Sequence, residues 1–184
     1  MLIDTTSLFL HVLAAIGLVG GGIVQVHAGA RVRAAGTGRD IASWARFTRG
    51  AGALIVVAAV LSLLTGGHLA GAVWGGEAGG FANPFITLGT LGLLVLAPIG
   101  PMMGGARLRR LAATAEDVGD AAAPDALRGE ARAPALWGPV HSLVGVGIGE
   151  VALMVYKPGW VVGTLLLLVT FAGGWLVGSI LASR

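Results

Sequence analysis

The sequence predicts an all-α polytopic membrane protein: a bundle of five transmembrane helices, with the amino terminus outside and the carboxyl terminus cytoplasmic. Three observations predict it. Apolar residues fill 55% of the 184 positions and charged residues only 11%, with a mean hydropathy of +0.86, a balance foreign to short soluble domains. Glycine occurs 32 times without a collagen period, which suits membrane helices whose backbones approach closely. The apolar residues also gather into five stretches, each near the roughly 20 residues a helix needs to cross a hydrocarbon layer of about 30 Å.

Those stretches run approximately over 8–28, 51–73, 85–103, 137–156 and 160–181, in a single domain with a cytoplasmic loop over 104–135. Asp4 rather than a basic segment precedes the first span, so a cleavable signal peptide is not expected. Asn83-Pro84 places a helix cap and a first-turn proline before the third span. Pro98 and Pro101 are expected to kink its far end, and Pro158-Gly159 to join the last two spans in a tight hairpin.

Orientation follows from arginine. Arg31, Arg33, Arg39, Arg46 and Arg49 lie between spans one and two, and Arg107, Arg109, Arg110, Arg128 and Arg132 between three and four, so the positive-inside rule makes both connections cytoplasmic. The loop from Trp74 to Glu77 and Lys157 then lie outside and Arg184 inside. Trp44 and Trp137 fall at the inner interface, and Trp74, Tyr156 and Trp160 at the outer one, as aromatic belts. A sequence pI near 10.6 reflects this topology, and no basic folded face points to nucleic acid. The loop over 104–135 is Ala-rich and mixes both charge signs, with Pro124 placed to start a short helix. It reads as a solvated helical linker near the headgroups, or as a docking surface for a partner protein.

Cysteine is absent, which removes disulfides, thiolate metal sites and cysteine nucleophiles. Any metal chemistry must use imidazole, carboxylate or thioether. Five ionisable residues, His11, His27, His68, His141 and Glu150, fall within the apolar spans, where such groups are costly and mark sites by default. His11, His68 and Glu150 share one level under the outer surface, whereas His27 and His141 lie near the cytoplasmic boundary.

Helical phase separates them further. His27 follows His11 by 16 residues, about 160° round the helix, so only one can face a bundle interior. The His11 face continues through Ala15, Leu18, Gly22 and Gln25. Glu150 follows His141 by nine positions, about 180°, and the carboxylate should claim the inward face. That leaves His11, His68 and Glu150 as a candidate cluster, with His27, His141 and Gln25 in a second tier. Neutral imidazoles suit haem iron or a divalent metal, and two histidines on different helices could ligate one haem b. The alternatives are histidines hydrogen-bonded to neighbouring helices, a proton or metal carrier with Glu150 as its acid, or a non-catalytic accessory subunit that anchors a partner.

Two further patterns bear on packing. Residues 11–18 match 141–148 at the histidine, a leucine and a glycine, and 66–71 match 173–178 at three glycines and a leucine, a weak inverted repeat of a helical hairpin. Gly17 with Gly21, Gly100 with Gly104, and Gly174 with Gly178 have the spacing of close helix crossings. Gly145-Val-Gly-Ile-Gly149 sits inside an apolar span with no preceding strand, so it reads as helix packing rather than a nucleotide loop.

Leu10-His11-Val-Leu-Ala-Ala, Arg46-Phe-Thr-Arg49, Leu64-Thr-Gly66, Arg107-Leu-Arg-Arg110-Leu and Val155-Tyr-Lys-Pro158 together resemble an uncharacterised family of bacterial predicted integral membrane proteins. The pattern is similar to the copper-resistance D membrane proteins and, more distantly, to HemJ-type protoporphyrinogen oxidases. The resemblance implies a helical bundle in a bacterial cytoplasmic membrane and, on the HemJ side, haem bound through a first-helix histidine that His11 would match. Leu18 and Val19 stand where that family has a tryptophan, which argues against its oxidase activity.

Overall fold

A computed structural model describes residues 1–76 and 79–183, so the expectations for Glu77 and Arg184 lie outside the described residues. Seven α-helices follow in order: α1 (Leu2–Ala34), α2 (Gly38–Ala72), α3 (Pro84–Leu91), α4 (Ala106–Val118), α5 (Asp125–Ala131), α6 (Pro134–Tyr156) and α7 (Trp160–Ala182). Five helical stretches are long and apolar enough to cross a membrane, the third running unbroken from Pro84 to Val118. Large apolar side chains stand exposed along them, among them Phe9, Ile16, Val57, Leu64, Val95 and Val169. Such a surface belongs in lipid rather than water.

The prolines of the third span widen the helix rather than break it. Between α3 and α4 the chain passes through two π-helical segments, Gly92–Leu96 and Gly100–Gly105. The Ala97 N–H reaches back five residues to the Gly92 carbonyl at 3.3 Å, the mark of a π turn. The Pro84 start and the α6–α7 hairpin follow the sequence reading, with Lys157 closing α6 at φ 46°. Asn83 differs in detail, because its side-chain amide donates to the Gly80 carbonyl at 2.9 Å.

The expected linker over 104–135 is instead part of a second core. α1 and α2, with 33 and 35 residues, are about 50 Å long, well beyond the bilayer, and α2 carries its excess at the arginine-rich end. There α4 lays Leu108, Leu111, Ala112 and Ala115 against Val32, Ile41, Ala42 and Ala45, and α5 adds Leu127 and Ala131. Four apolar positions at helical spacing make α4 amphipathic, so burial rather than solvation fixes it. Exposed ion pairs, Arg39 with Asp120 at 2.6 Å and Arg46 with Glu116, tie α2 to this layer. The short helix after Pro124 forms as expected.

Glycine sets the crossings. A Cβ on Gly17 would stand 3.1 Å from that of Ala58, and one on Gly21 would stand 2.9 Å from Ile55. Gly100 and Gly104 receive Leu143 and Val140, while Gly174 and Gly178 lie on the backbone of α6 at 137–142. Gly145, Gly147 and Gly149 meet α7 and α1. In both hairpins the histidine rests on a glycine of the returning helix, His11 on Gly66 and His141 on Gly178.

Candidate functional site

α6 carries the two deepest ionisable side chains because it is the central helix. Of the most apolar stretch within 125–156, 67% is buried, against 17% in α7. The expectation that Glu150 and His141 could not both face inward is therefore corrected, since Glu150 is 6% and His141 3% exposed. Opposite faces of a surface helix point to core and lipid, but α6 packs against α1, the third span and α7, and its exposed apolar side chains, Ile148, Val151 and Val155, leave both the His141 and the Glu150 faces covered.

Glu150 is seated in a notch that glycine makes. Side chains added at Gly89 or Gly92 would run into its carboxyl oxygens, and Met154 and Leu167 stand beside the same two glycines. Gly92 also opens the first π turn, so the carboxyl rests where the backbone departs from α-geometry. Glu150 Oε1 is buried and has no hydrogen-bond partner among the described residues. Neighbouring hydroxyls do not serve it: Thr90 donates to the Ile86 carbonyl and Thr170 to that of Leu166, both at 2.9 Å. A buried polar atom left in this state calls for an explanation, an exchangeable ion or a catalytic role among them.

His11 lies in the α1–α2 seam. Its Nδ1 is 3.2 Å from the Ser62 carbonyl and 3.1 Å from Thr65 Oγ1, while the Thr65 hydroxyl itself donates to the Leu61 carbonyl at 2.7 Å. A carbonyl only accepts, so these partners call for the proton on Nδ1 and leave the Nε2 lone pair free. The expected His11 face is otherwise as read, with Leu18, Gly22 and Gln25 buried and Ala15 partly so. His68 does not join this ring. It is exposed on α2, and its Nε2 meets Asp4 Oδ1 at 3.1 Å, where Asp4 also holds the terminal ammonium at 2.8 Å.

Thus His11 and His68 both face α1–α2 contacts but are engaged with different partners, and Glu150 is packed on the third span. Among the described residues no group of three or more His, Asp or Glu side chains could hold one metal ion. Shared depth places the three residues together in the sequence reading, but each is engaged with its own partners, His11 with Ser62 and Thr65, His68 with Asp4 and Glu150 with the third span.

The inner layer also departs from expectation. His27 is exposed, as its phase requires. His141 donates Nδ1–H to the Trp137 carbonyl at 2.9 Å, and its buried Nε2 has no partner among the described residues. Trp137 is no belt residue; it is fully buried, donates to the Ala131 carbonyl at 2.7 Å and lies beneath Arg33 at 4.8 Å. Gln25 donates to the Thr48 carbonyl at 3.3 Å across Gly52, and its Oε1 has no partner among the described residues. Sequence reasoning missed Gly89 and Gly92 because it looked for glycines four apart; the i, i+3 pair on one face was the available signal.

No family model, curated protein or solved structure matches this chain. The resemblance to bacterial membrane proteins rests on its short motifs alone.

Proposed function

We propose that this chain is a small membrane carrier that exchanges a proton or a small cation at the Glu150 carboxyl, oriented with its arginine-rich core in the cytoplasm of a bacterium. The observation that supports it best is the unpartnered Glu150 Oε1, held against Gly92 at the start of a π turn. π turns concentrate at functional sites, and intramembrane acids mark ion pathways and relays. The orientation is the positive-inside reading. Purified protein in liposomes with an imposed pH difference tests the proposal: the wild type should collapse the gradient, and Glu150→Gln should slow the collapse at least tenfold. An equal rate in the two proteins would contradict it.

A second reading, a haem b or divalent metal bound near the outer surface, is favoured by the His11 ring. Its Nδ1 partners orient the imidazole and leave Nε2 free, the arrangement typical of metal-ligating histidines. His68, engaged by Asp4, and Glu150, packed on the third span, form no three-residue metal group with it among the described residues, so His11 is the ligand on which this reading rests. A Soret band lost in His11→Ala would favour this reading, and colourless, metal-free protein would remove it.

A further inference from the structure

The geometry points to a binding site for an anionic amphiphile, a phosphate-bearing head on an apolar tail, in the cavity between α2 and the π-widened end of the third span. This cavity has a volume of about 600 Å³, in the range of small-molecule sites and far larger than one inorganic phosphate. It exists because the chain there has little to fill it: Gly52 faces it from α2, and Gly100, Pro101 and Gly105 line it from the second π segment.

Its lining is polarised along its length. Arg49 and Arg109 stand at one end and Val56, Val57 and Leu143 at the other. Arg49 and Val56 are seven residues apart on α2, about 10 Å along the axis. Between them Gln25, anchored on the Thr48 carbonyl, supplies one polar step.

The two arginines are uncommitted. Arg46 is paired with Glu116 and Arg39 with Asp120, but neither Arg49 nor Arg109 has an ion pair or hydrogen bond among the described residues. Both also border a smaller recess of about 190 Å³ that runs on to Arg46 and Glu116. Two unpaired guanidinium forks on one rim match a phosphate bidentately. Basic pockets between transmembrane helices hold anionic headgroups by this logic.

The outer wall says how the ligand arrives. Val57 is 63% and Met102 72% exposed, on the surface that the apolar spans turn to lipid, so a tail can enter sideways from the bilayer. A soluble phosphate would gain nothing from that wall. The site lies at the arginine-rich end and is independent of the Glu150 proposal.

Native mass spectrometry of the delipidated full chain, equilibrated with equal amounts of phosphatidylglycerol and phosphatidylcholine, tests the inference. One phosphatidylglycerol should be retained at least tenfold in preference to phosphatidylcholine. Arg49→Gln with Arg109→Gln should reduce that preference below twofold, and Arg31→Gln with Arg128→Gln, exposed cations elsewhere, should leave it intact. Val56→Trp, which fills the apolar end and keeps both arginines, should also expel the lipid. A preference that survives both the arginine and the tryptophan variants would overturn the site. Displacement of phosphatidylglycerol by inorganic phosphate alone would overturn the amphiphile and leave a site for free phosphate.

Discussion

At the residue scale the molecule turns on one contact, the Glu150 carboxyl against the bare backbone of Gly92. A methyl group there would occupy the space of Oε1. Gly92→Ala should therefore displace the carboxyl and slow gradient collapse about as much as Glu150→Gln, whereas Gly67→Ala, which meets nothing within 4 Å, should leave the rate unchanged. A Gly92→Ala protein that runs at the wild-type rate would show that this contact is only packing. Gly29 shows the same dependence in the inner core, where an added Cβ would overlap the Trp137 ring. Overpacking of this kind costs about 1–3 kcal/mol, so Gly29→Ala should lower the unfolding midpoint of the purified protein measurably. The residues themselves were legible: five ionisable groups in apolar sequence are hard to miss. Their partners were not, because Ser62 and Thr65 reach His11 only once α1 and α2 pack, and nothing local in the sequence says so.

At the element scale, hydrophobic length located the five described helices that are long and apolar enough to cross a membrane, since about 20 apolar residues in a row have few other uses. What periodicity could not reveal was enclosure. α6 reads like its neighbours in composition, yet contacts on three sides bury His141 and Glu150 together. Its central place depends on Gly145, Gly147 and Gly149 meeting partners that lie far away in sequence. α4 was misread for the opposite reason: charge and alanine made it look solvated, although Leu108 and Leu111 lie on one face and are almost wholly buried. Leu111→Ala should cost about 2–5 kcal/mol by leaving a cavity in that core, while exposed Arg110→Ala should stay within about 0.5 kcal/mol of wild type. Thermal unfolding in detergent separates the two. At the start of α2, Thr37 accepts from the Asp40 N–H at 3.2 Å and donates to its carboxylate at 2.8 Å. Loss of this cap in Thr37→Ala should cost about 1 kcal/mol in the same assay.

At the scale of the whole molecule, two layers stack along the bundle axis, apolar spans at one end and a compact arginine-rich core at the other. The absence of cysteine makes the proposed orientation easy to test. A single cysteine at Asp120 should react with a membrane-impermeant maleimide only after the cells are opened, and one at Lys157 in intact cells; the reverse pattern would invert the topology. The functional claim is tested most directly by proton flux in liposomes bearing wild type, Glu150→Gln or Glu150→Asp. The glutamine protein should lose at least ninety per cent of the wild-type rate, about tenfold or 1.4 kcal/mol, while aspartate, which keeps a carboxyl in the notch, should retain a larger share. Glutamine and wild-type proteins collapsing the gradient at one rate would contradict it.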